Sequence, residues 1–344
     1  MALLQSNDVM KLTFASPECF PVKWDERDDK IAFHQLTQDI FRSTVFLGET
    51  DIIMQHPFLG SSSIGDILAC GKGPGNQAES KHYIFHLAYC CSTLLARYFE
   101  ECRSHLVLKE PAVLSNCASK SSGTTYSDDL RLVAISWLLG RVYPEQDIVV
   151  IKPNVPVNTI ATQVLALDTT ASGTFIVHGL EACITSIIKY QWRIDRVRAW
   201  NKVVYRRGHG GAPTIKPDFL DGVQTAAYWW IENMLLAMEF ERANPTRAII
   251  VRANDIAERP EQVLIRISGL PGMEKIHSRV KEMTSGDVEK HYSKRSNVKY
   301  DLSDREAEIG RLLETYANEI KQARDWLATH YGDLVLSADR VGRG

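Results

Sequence analysis

Several features that would place this chain in a membrane, secreted or nucleic-acid-binding class are missing. Lys and Arg total 40 against 42 Asp and Glu, so the formal charge of −2 gives no global attraction to nucleic acid or acidic membranes. No apolar run reaches the ~18 residues of a membrane-spanning helix, and residues 1–14 lack the basic-then-apolar pattern of a secretion signal. The seven cysteines are odd in number and include no pair of Cys-x-x-Cys units. We expect reduced thiols, no bound metal, no nucleic acid partner and a cytoplasmic location.

A common phosphate-binding signature is also missing. The pattern G-x-x-x-x-G-K-[ST], which holds nucleotide phosphates in P-loop hydrolases, does not occur in the chain. We therefore expect neither a kinase nor an ATP or GTP hydrolase. Magnesium-dependent ATP turnover by the purified protein would overturn this expectation.

The length and composition are those of a globular protein with a large core. The chain has 344 residues, of which 44% are hydrophobic, so we expect about two domains or one large domain with an appendage. Residues 1–80 are predicted to form a small N-terminal α+β extension, with a strand at Ile31–Leu36 and a turn at Gly60–Ser63. Gly71–Asn76 is predicted to link this extension to the main domain, residues 81–344.

From Tyr83 onward, short apolar runs alternate with helical stretches. The runs show little polar alternation, which indicates strands covered on both faces. Strands that alternate with helices predict an α/β fold in which a mainly parallel sheet is flanked by helices. The predicted strands are Tyr83–Leu87, Leu106–Leu108, Ile148–Ile151, Thr174–Val177 and Ala248–Val251.

The most informative stretch is a predicted strand, turn and helix at Tyr83–Arg97. Ser92 and Thr93 open the helix, whose first turn has unpaired N–H groups and a partial positive charge. Phosphate or sulfate binds at such helix N-termini, and open α/β sheets bind ligands at the carboxyl edge of their strands. Ser and Thr are also ordinary helix caps, so the pattern alone leaves a purely structural turn open.

The same stretch and its neighbours resemble a known family. A strand ends in Phe85–His86, and after a short loop the helix begins with Ser-Thr-Leu-Leu-x-Arg at Ser92–Arg97. These segments, with Phe20–Asp25, Leu108–Leu114 and Ala248–Ile256, are similar to sulfotransferases, in particular to a broad group of bacterial sulfotransferase-like proteins. The resemblance covers most of the chain. It implies a P-loop-type three-layer fold and transfer of a sulfonate group from 3′-phosphoadenosine-5′-phosphosulfate, the co-substrate, to a hydroxyl or amine acceptor.

The resemblance also implies roles for single residues. The loop that holds the 5′-phosphosulfate of the donor corresponds to Tyr89, Cys90, Cys91, Ser92 and Thr93. The site of the 3′-phosphate corresponds to His178, Ser186, Lys294 and Arg295.

Four positions depart from the family's pattern. Tyr89 stands in the place of a lysine, Cys91 of a glycine and His178 of an arginine. Asn154 stands where cytosolic sulfotransferases have their catalytic base, and an amide does not titrate. A lysine beside a sulfonate contributes on the order of 4 kcal/mol, so another cation is needed. The candidates for that cation are Lys109, Lys152 and Lys72.

The residues that end the second and third strands are candidates for catalysis. Glu110 is the proposed general base, and Lys109 or Lys152 the group that stabilises charge on the sulfonate. Because alternate strand residues face opposite sides, we expect only one of Lys109 and Glu110 to face the site. A surface ion pair at a strand end is the alternative interpretation.

Two further questions stay open in the sequence. The basic stretch Arg193–His209 either closes over an anionic donor or is the solvated face of an amphipathic helix. The four departures leave room for a non-catalytic nucleotide- or anion-binding module on the same fold. A donor affinity typical of an enzyme would exclude the non-catalytic module.

Overall fold

The computed structural model describes residues 14–70, 76–120, 126–207, 215–285, 288, 291–292, 295–299 and 302–343. The strands are β1 Cys19–Asp25, β2 Lys30–Gln35, β3 Phe58–Ser63, β4 Ser80–His86, β5 His105–Lys109, β6 Ile148–Lys152, β7 Ala171–Val177, β8 Ala248–Arg252, β9 His291–Tyr292 and β10 Arg295–Lys299. The helices are α1 Gln38–Ser43, α2 Glu49–Gln55, α3 Ile64–Cys70, α4 Ser92–Glu101, α5 Ala112–Lys120, α6 Tyr126–Leu139, α7 Ala161–Leu167, α8 Leu180–Ile188, α9 Gln191–Arg207, α10 Gly222–Ala243, α11 Ala253–Glu258, α12 Pro260–Ser268, α13 Val280–Thr284, α14 Leu302–Thr315, α15 Ala317–Tyr331 and α16 Asp333–Arg343. Short 3₁₀ helices cover Val155–Ile160, Pro217–Phe219 and Glu274–Arg279.

The main sheet has five strands in the order β5-β6-β4-β7-β8, and all neighbouring pairs are parallel. Strands β4, β5, β6 and β7 are buried along their whole length, as expected for a sheet covered on both faces. The predicted α/β class with a parallel sheet between helices is confirmed. All five predicted strands exist and pairing lengthens each of them by one to three residues, although the first ends at His86, one residue before the predicted end.

Two helical layers cover this sheet. On one face, apolar side chains such as Ile84 and Val150 pack with α4, α11, α12 and α13. On the other face, Tyr83 and Phe85 join a larger core that includes α5 to α10. The rings of Phe85 and Phe240 lie 5.2 Å apart there, which ties the central strand to α10. Among the described helices, none combines the length and the apolar composition that crossing a membrane requires.

The N-terminal residues form a three-stranded antiparallel sheet in the order β1-β2-β3, followed by α3. Its buried side chains, Phe20 and Ile31 among them, belong to the same apolar cluster as the face of the main sheet that packs on α10. The turn predicted at Gly60–Ser63 is wrong, because these residues form most of edge strand β3. Pairing with β2 overrides the weak strand propensity of Gly and Ser. The domain boundary at residue 80 stays a prediction, and residues 71–75 of the predicted linker lie outside the described residues.

Candidate functional site

The loop between β4 and α4 lies at the carboxyl edge of the central strand. Within it, Tyr89 and Cys91 have φ angles of 64° and 63°, in the left-handed region that favours glycine. Cys91 is the N-cap of α4, and its side chain makes no capping hydrogen bond. Ser92 and Thr93 are therefore the first two residues of the helix rather than its cap. Both are buried, at 6% and 5% exposure.

The shape of this loop is fixed by contacts from β7 and from the loop itself. The backbone N–H of Leu87 donates to the Ile176 carbonyl over 2.9 Å. The thiol of Cys90 donates to the Leu87 carbonyl over 2.5 Å. Nε2 of the buried His178 lies 3.1 Å from the Ala88 carbonyl oxygen. His178, which the resemblance assigns to the 3′-phosphate, thus contacts the loop backbone.

An ion pair joins the ends of β5 and β6 beside the loop. Nζ of Lys152 lies 2.6 Å from Oε1 of Glu110, and the side chains are 1% and 19% exposed. Glu110 has a φ of 57°, and its N–H donates to the Lys152 carbonyl over 2.6 Å. Pro153, which follows Lys152 in the chain, has its carbonyl oxygen 3.2 Å from Nε2 of His86 at the end of β4. The pair and the loop between β4 and α4 therefore share one edge of the sheet.

Lys109 is turned away from this pair. Its ammonium forms an ion pair with Glu100 and lies 3.4 Å from the carbonyl oxygen of Arg42. Burial raises the pKa of Glu100, and the charge of Lys109 opposes that rise. Glu100 lies eight residues beyond Ser92, which is about 12 Å along α4. The structure thus places the Glu110–Lys152 pair at the same edge of the sheet as the loop, whereas the ammonium of Lys109 is directed to Glu100.

Two residues of α9, Trp192 and Arg193, contact the loop, and Arg193 also contacts α8. Nη1 of Arg193 donates to the Ser186 carbonyl over 2.6 Å, and its guanidinium carbon lies 4.2 Å from the centroid of the Tyr89 ring. The ring of Trp192 packs edge-on to Tyr89 at 6.4 Å and stacks on Tyr190 at 6.2 Å. The backbone carbonyl of Ser186 is therefore linked to the loop through Arg193, and the binding role of Ser186 stays a prediction. No specific role could be predicted for Arg193, because only the basic stretch around it was recognisable.

The remaining candidates are placed only in part. The side chain of Asn154 accepts a hydrogen bond from the Val155 N–H over 2.8 Å, so it caps the following 3₁₀ helix. Lys294 and Lys72 lie outside the described residues, and Arg295 is described only as part of β10, without its side chain. Within the described ranges, no group of three or more His, Cys, Asp or Glu has the geometry of a metal site.

Comparisons with known proteins include a distant structural similarity. No family model and no curated protein matches the chain. Among solved structures, a sulfotransferase domain from the curacin biosynthetic pathway is similar over 74% of this chain and 99% of its own, with 12% identity and a TM-score of 0.36. A similarity this distant assigns neither a family nor a reaction, so the functional argument rests on the residues of this chain.

Proposed function

We propose that this protein transfers a sulfonate group from 3′-phosphoadenosine-5′-phosphosulfate to a hydroxyl or amine acceptor. One observation carries the proposal. The start of helix α4 follows the central strand β4, and a Lys152–Glu110 pair at 2.6 Å joins the end of β6, which neighbours β4, to the end of edge strand β5. A cation and a carboxylate beside an anion site are the two groups that the transfer needs. The sequence resemblance of the loop supports the same donor.

The start of α4 suits the phosphosulfate end of the donor. The first N–H groups of an α-helix have no partner within the helix and can donate to a bound anion. The hydroxyls of Ser92 and Thr93 stand at the first two helical positions and add donors. Ser186, near the loop through Arg193, fits the 3′-phosphate.

Glu110 and Lys152 would divide the chemistry between them. The acceptor oxygen or nitrogen attacks sulfur while the bond from sulfur to the bridging phosphate oxygen breaks. Glu110 takes the acceptor's proton, and Lys152 stabilises the negative charge on the transferring sulfonate. In the ligand-free protein the two side chains neutralise each other. An anion beside Lys152 would weaken that pair and release the carboxylate to act as a base.

A second function has support from the same pair. Lys152 is only 1% exposed and already has a counter-ion, which also suits a module that binds an anion without reacting. The departures at Tyr89, Cys91 and His178 favour this alternative as well. It predicts donor binding without release of 3′-phosphoadenosine-5′-phosphate.

Turnover separates the two functions. The donor is incubated with the protein and with mixed phenols, alcohols and amines, and the bisphosphate product is measured by chromatography. We expect product in the wild type and a fall of about 10²- to 10⁴-fold in Glu110→Gln, the usual contribution of a general base. Glu79→Gln is the matched control, since Glu79 forms an exposed 2.6 Å pair with Lys275 and directly precedes β4, at the opposite edge of the sheet.

Two results would count against this assignment. Full turnover in Glu110→Gln would show that another group is the base. Donor binding without product, for every acceptor class and also in the wild type, would favour the non-catalytic module.

A further inference from the structure

The phosphate loop has a tyrosine where its relatives by resemblance have a lysine, yet a cation lies directly on that tyrosine. The guanidinium carbon of Arg193 is 4.2 Å from the Tyr89 ring centroid. A second guanidinium, that of Arg196, lies 5.1 Å from the centroid of the Trp192 ring. Burial raises the pKa of the Tyr89 phenol, and the positive charges of both arginines oppose the rise.

Arg193 has no counter-ion in the described part of the chain. Other cations in the same region are paired: Lys202 with Asp218 at 2.7 Å and Lys189 with Glu308 at 3.0 Å. Nη1 of Arg193 is held by the Ser186 carbonyl, whereas its Nε is buried and has no hydrogen-bond partner among the described residues. A guanidinium donor that lacks a partner, beside the loop that leads into α4, can be satisfied by an oxyanion.

We propose that Arg193 replaces the loop lysine, so that its guanidinium, stacked on Tyr89, binds the sulfonate or phosphate oxygens of the anion held at the start of α4. This inference rests on the proposed function. It extends that function by naming the cation that the loop itself lacks.

The geometry explains why a tyrosine is suitable at that position. An aromatic face holds a guanidinium by cation–π attraction without occupying its hydrogen-bond donors. The left-handed backbone of Tyr89 is part of the turn that leads into α4, so the loop holds the ring on which Arg193, a residue of α9, stacks. The bond to the Ser186 carbonyl fixes the other end of the guanidinium. Ligand-binding groups held in this way are pre-organised.

Removing the positive charge at Arg193 and returning one at Tyr89 tests the inference. Calorimetric titrations use two probes, 3′-phosphoadenosine-5′-phosphate and inorganic pyrophosphate. Arg193→Gln is expected to weaken both by about 10- to 100-fold, the loss of a hydrogen bond to a charged group. Adding Tyr89→Lys to that variant returns a cation to the loop and is expected to restore most of the affinity. Lys202→Gln, which removes one charge from the same helix at an ion-paired position, is expected to leave binding unchanged.

Each other outcome has a definite meaning. If the wild type binds the nucleotide and Arg193→Gln binds it equally well, this inference is overturned and the proposed function stands. If pyrophosphate binding depends on Arg193 but the nucleotide does not bind, the proposed donor fails and the anion role of Arg193 holds. If neither probe binds the wild type, both fail. If Arg193→Gln does not fold, Tyr89→Lys alone decides: it is expected to tighten pyrophosphate binding, and unchanged binding would overturn the inference.

Discussion

The Lys152–Glu110 pair predicts an asymmetric loss of stability. The two charges are 2.6 Å apart, but Lys152 is 1% exposed and Glu110 is 19% exposed. Glu110→Gln therefore leaves an ammonium where water scarcely reaches. Lys152→Met leaves a carboxylate that water still reaches in part. The first variant should lose more stability than the second, although each removes one partner of the same pair.

The expected losses of unfolding free energy follow from how deeply each side chain is buried. Removing one partner of a buried pair costs about 3–5 kcal/mol. The glutamine amide can still accept a hydrogen bond, and Phe46 lies 5.6 Å from the ammonium, so we expect about 3 kcal/mol for Glu110→Gln. For Lys152→Met the remaining carboxylate is partly hydrated, and we expect about 1–2 kcal/mol. The double variant should recover part of the sum, with a coupling energy of about 1–3 kcal/mol.

Urea unfolding of the wild type, both single variants and the double variant measures these free energies. The variants should share one m-value, so that the midpoints report stability alone. Additive losses, with a coupling energy below about 0.5 kcal/mol, would refute the ion pair. A larger loss in Lys152→Met than in Glu110→Gln would refute the reasoning from burial.

Two further predictions concern the sheet and the loop. His82 is fully buried between the hydroxyls of Ser172 and Thr174, and burial lowers its pKa to about 3. The unfolded chain binds a proton below about pH 6.5 that the folded chain does not, so stability should fall by about 1.4 kcal/mol per pH unit below that point. Urea midpoints at pH 7.5 and 5.5 measure the slope; His82→Gln should reduce it by that amount, and an unchanged slope would contradict this account. At Cys91, φ is 63°, so Cys91→Gly should unfold at higher urea than Cys91→Val, which forces a β-branched residue into the left-handed region. The reverse order would show that the loop has another conformation in solution.

The strands of the main sheet could be predicted because their apolar runs are local signals. The start of β4 could not, because Lys81 and His82 are polar residues in a fully buried strand. Lys81 is satisfied by Asp168 at 2.6 Å, and His82 by hydroxyls on β7. These partners are 87 to 92 residues away in sequence, so no local pattern reveals them.

The candidate residues of the site could be predicted one by one, but the contacts between them could not. Glu110 and Lys152 were each recognisable at a strand end, but their contact spans 42 residues and depends on which strands are neighbours. Lys109 was an equally good candidate by sequence, and its partner Glu100 is set by the packing of α4 on the sheet. Arg193 lies over a loop that is about a hundred residues earlier in the chain. In the sequence, the basic stretch around Arg193 is indistinguishable from a solvated helix face.

Donor binding at the start of α4 is the central claim, and one titration tests it most directly. Calorimetry with 3′-phosphoadenosine-5′-phosphate is compared with ATP, for the wild type and for the double variant Ser92→Ala/Thr93→Ala. The account predicts micromolar binding of the bisphosphate to the wild type, loss of that binding in the double variant, and no comparable binding of ATP. Absent binding, or equal binding by wild type and double variant, would contradict the claim that this loop holds the donor.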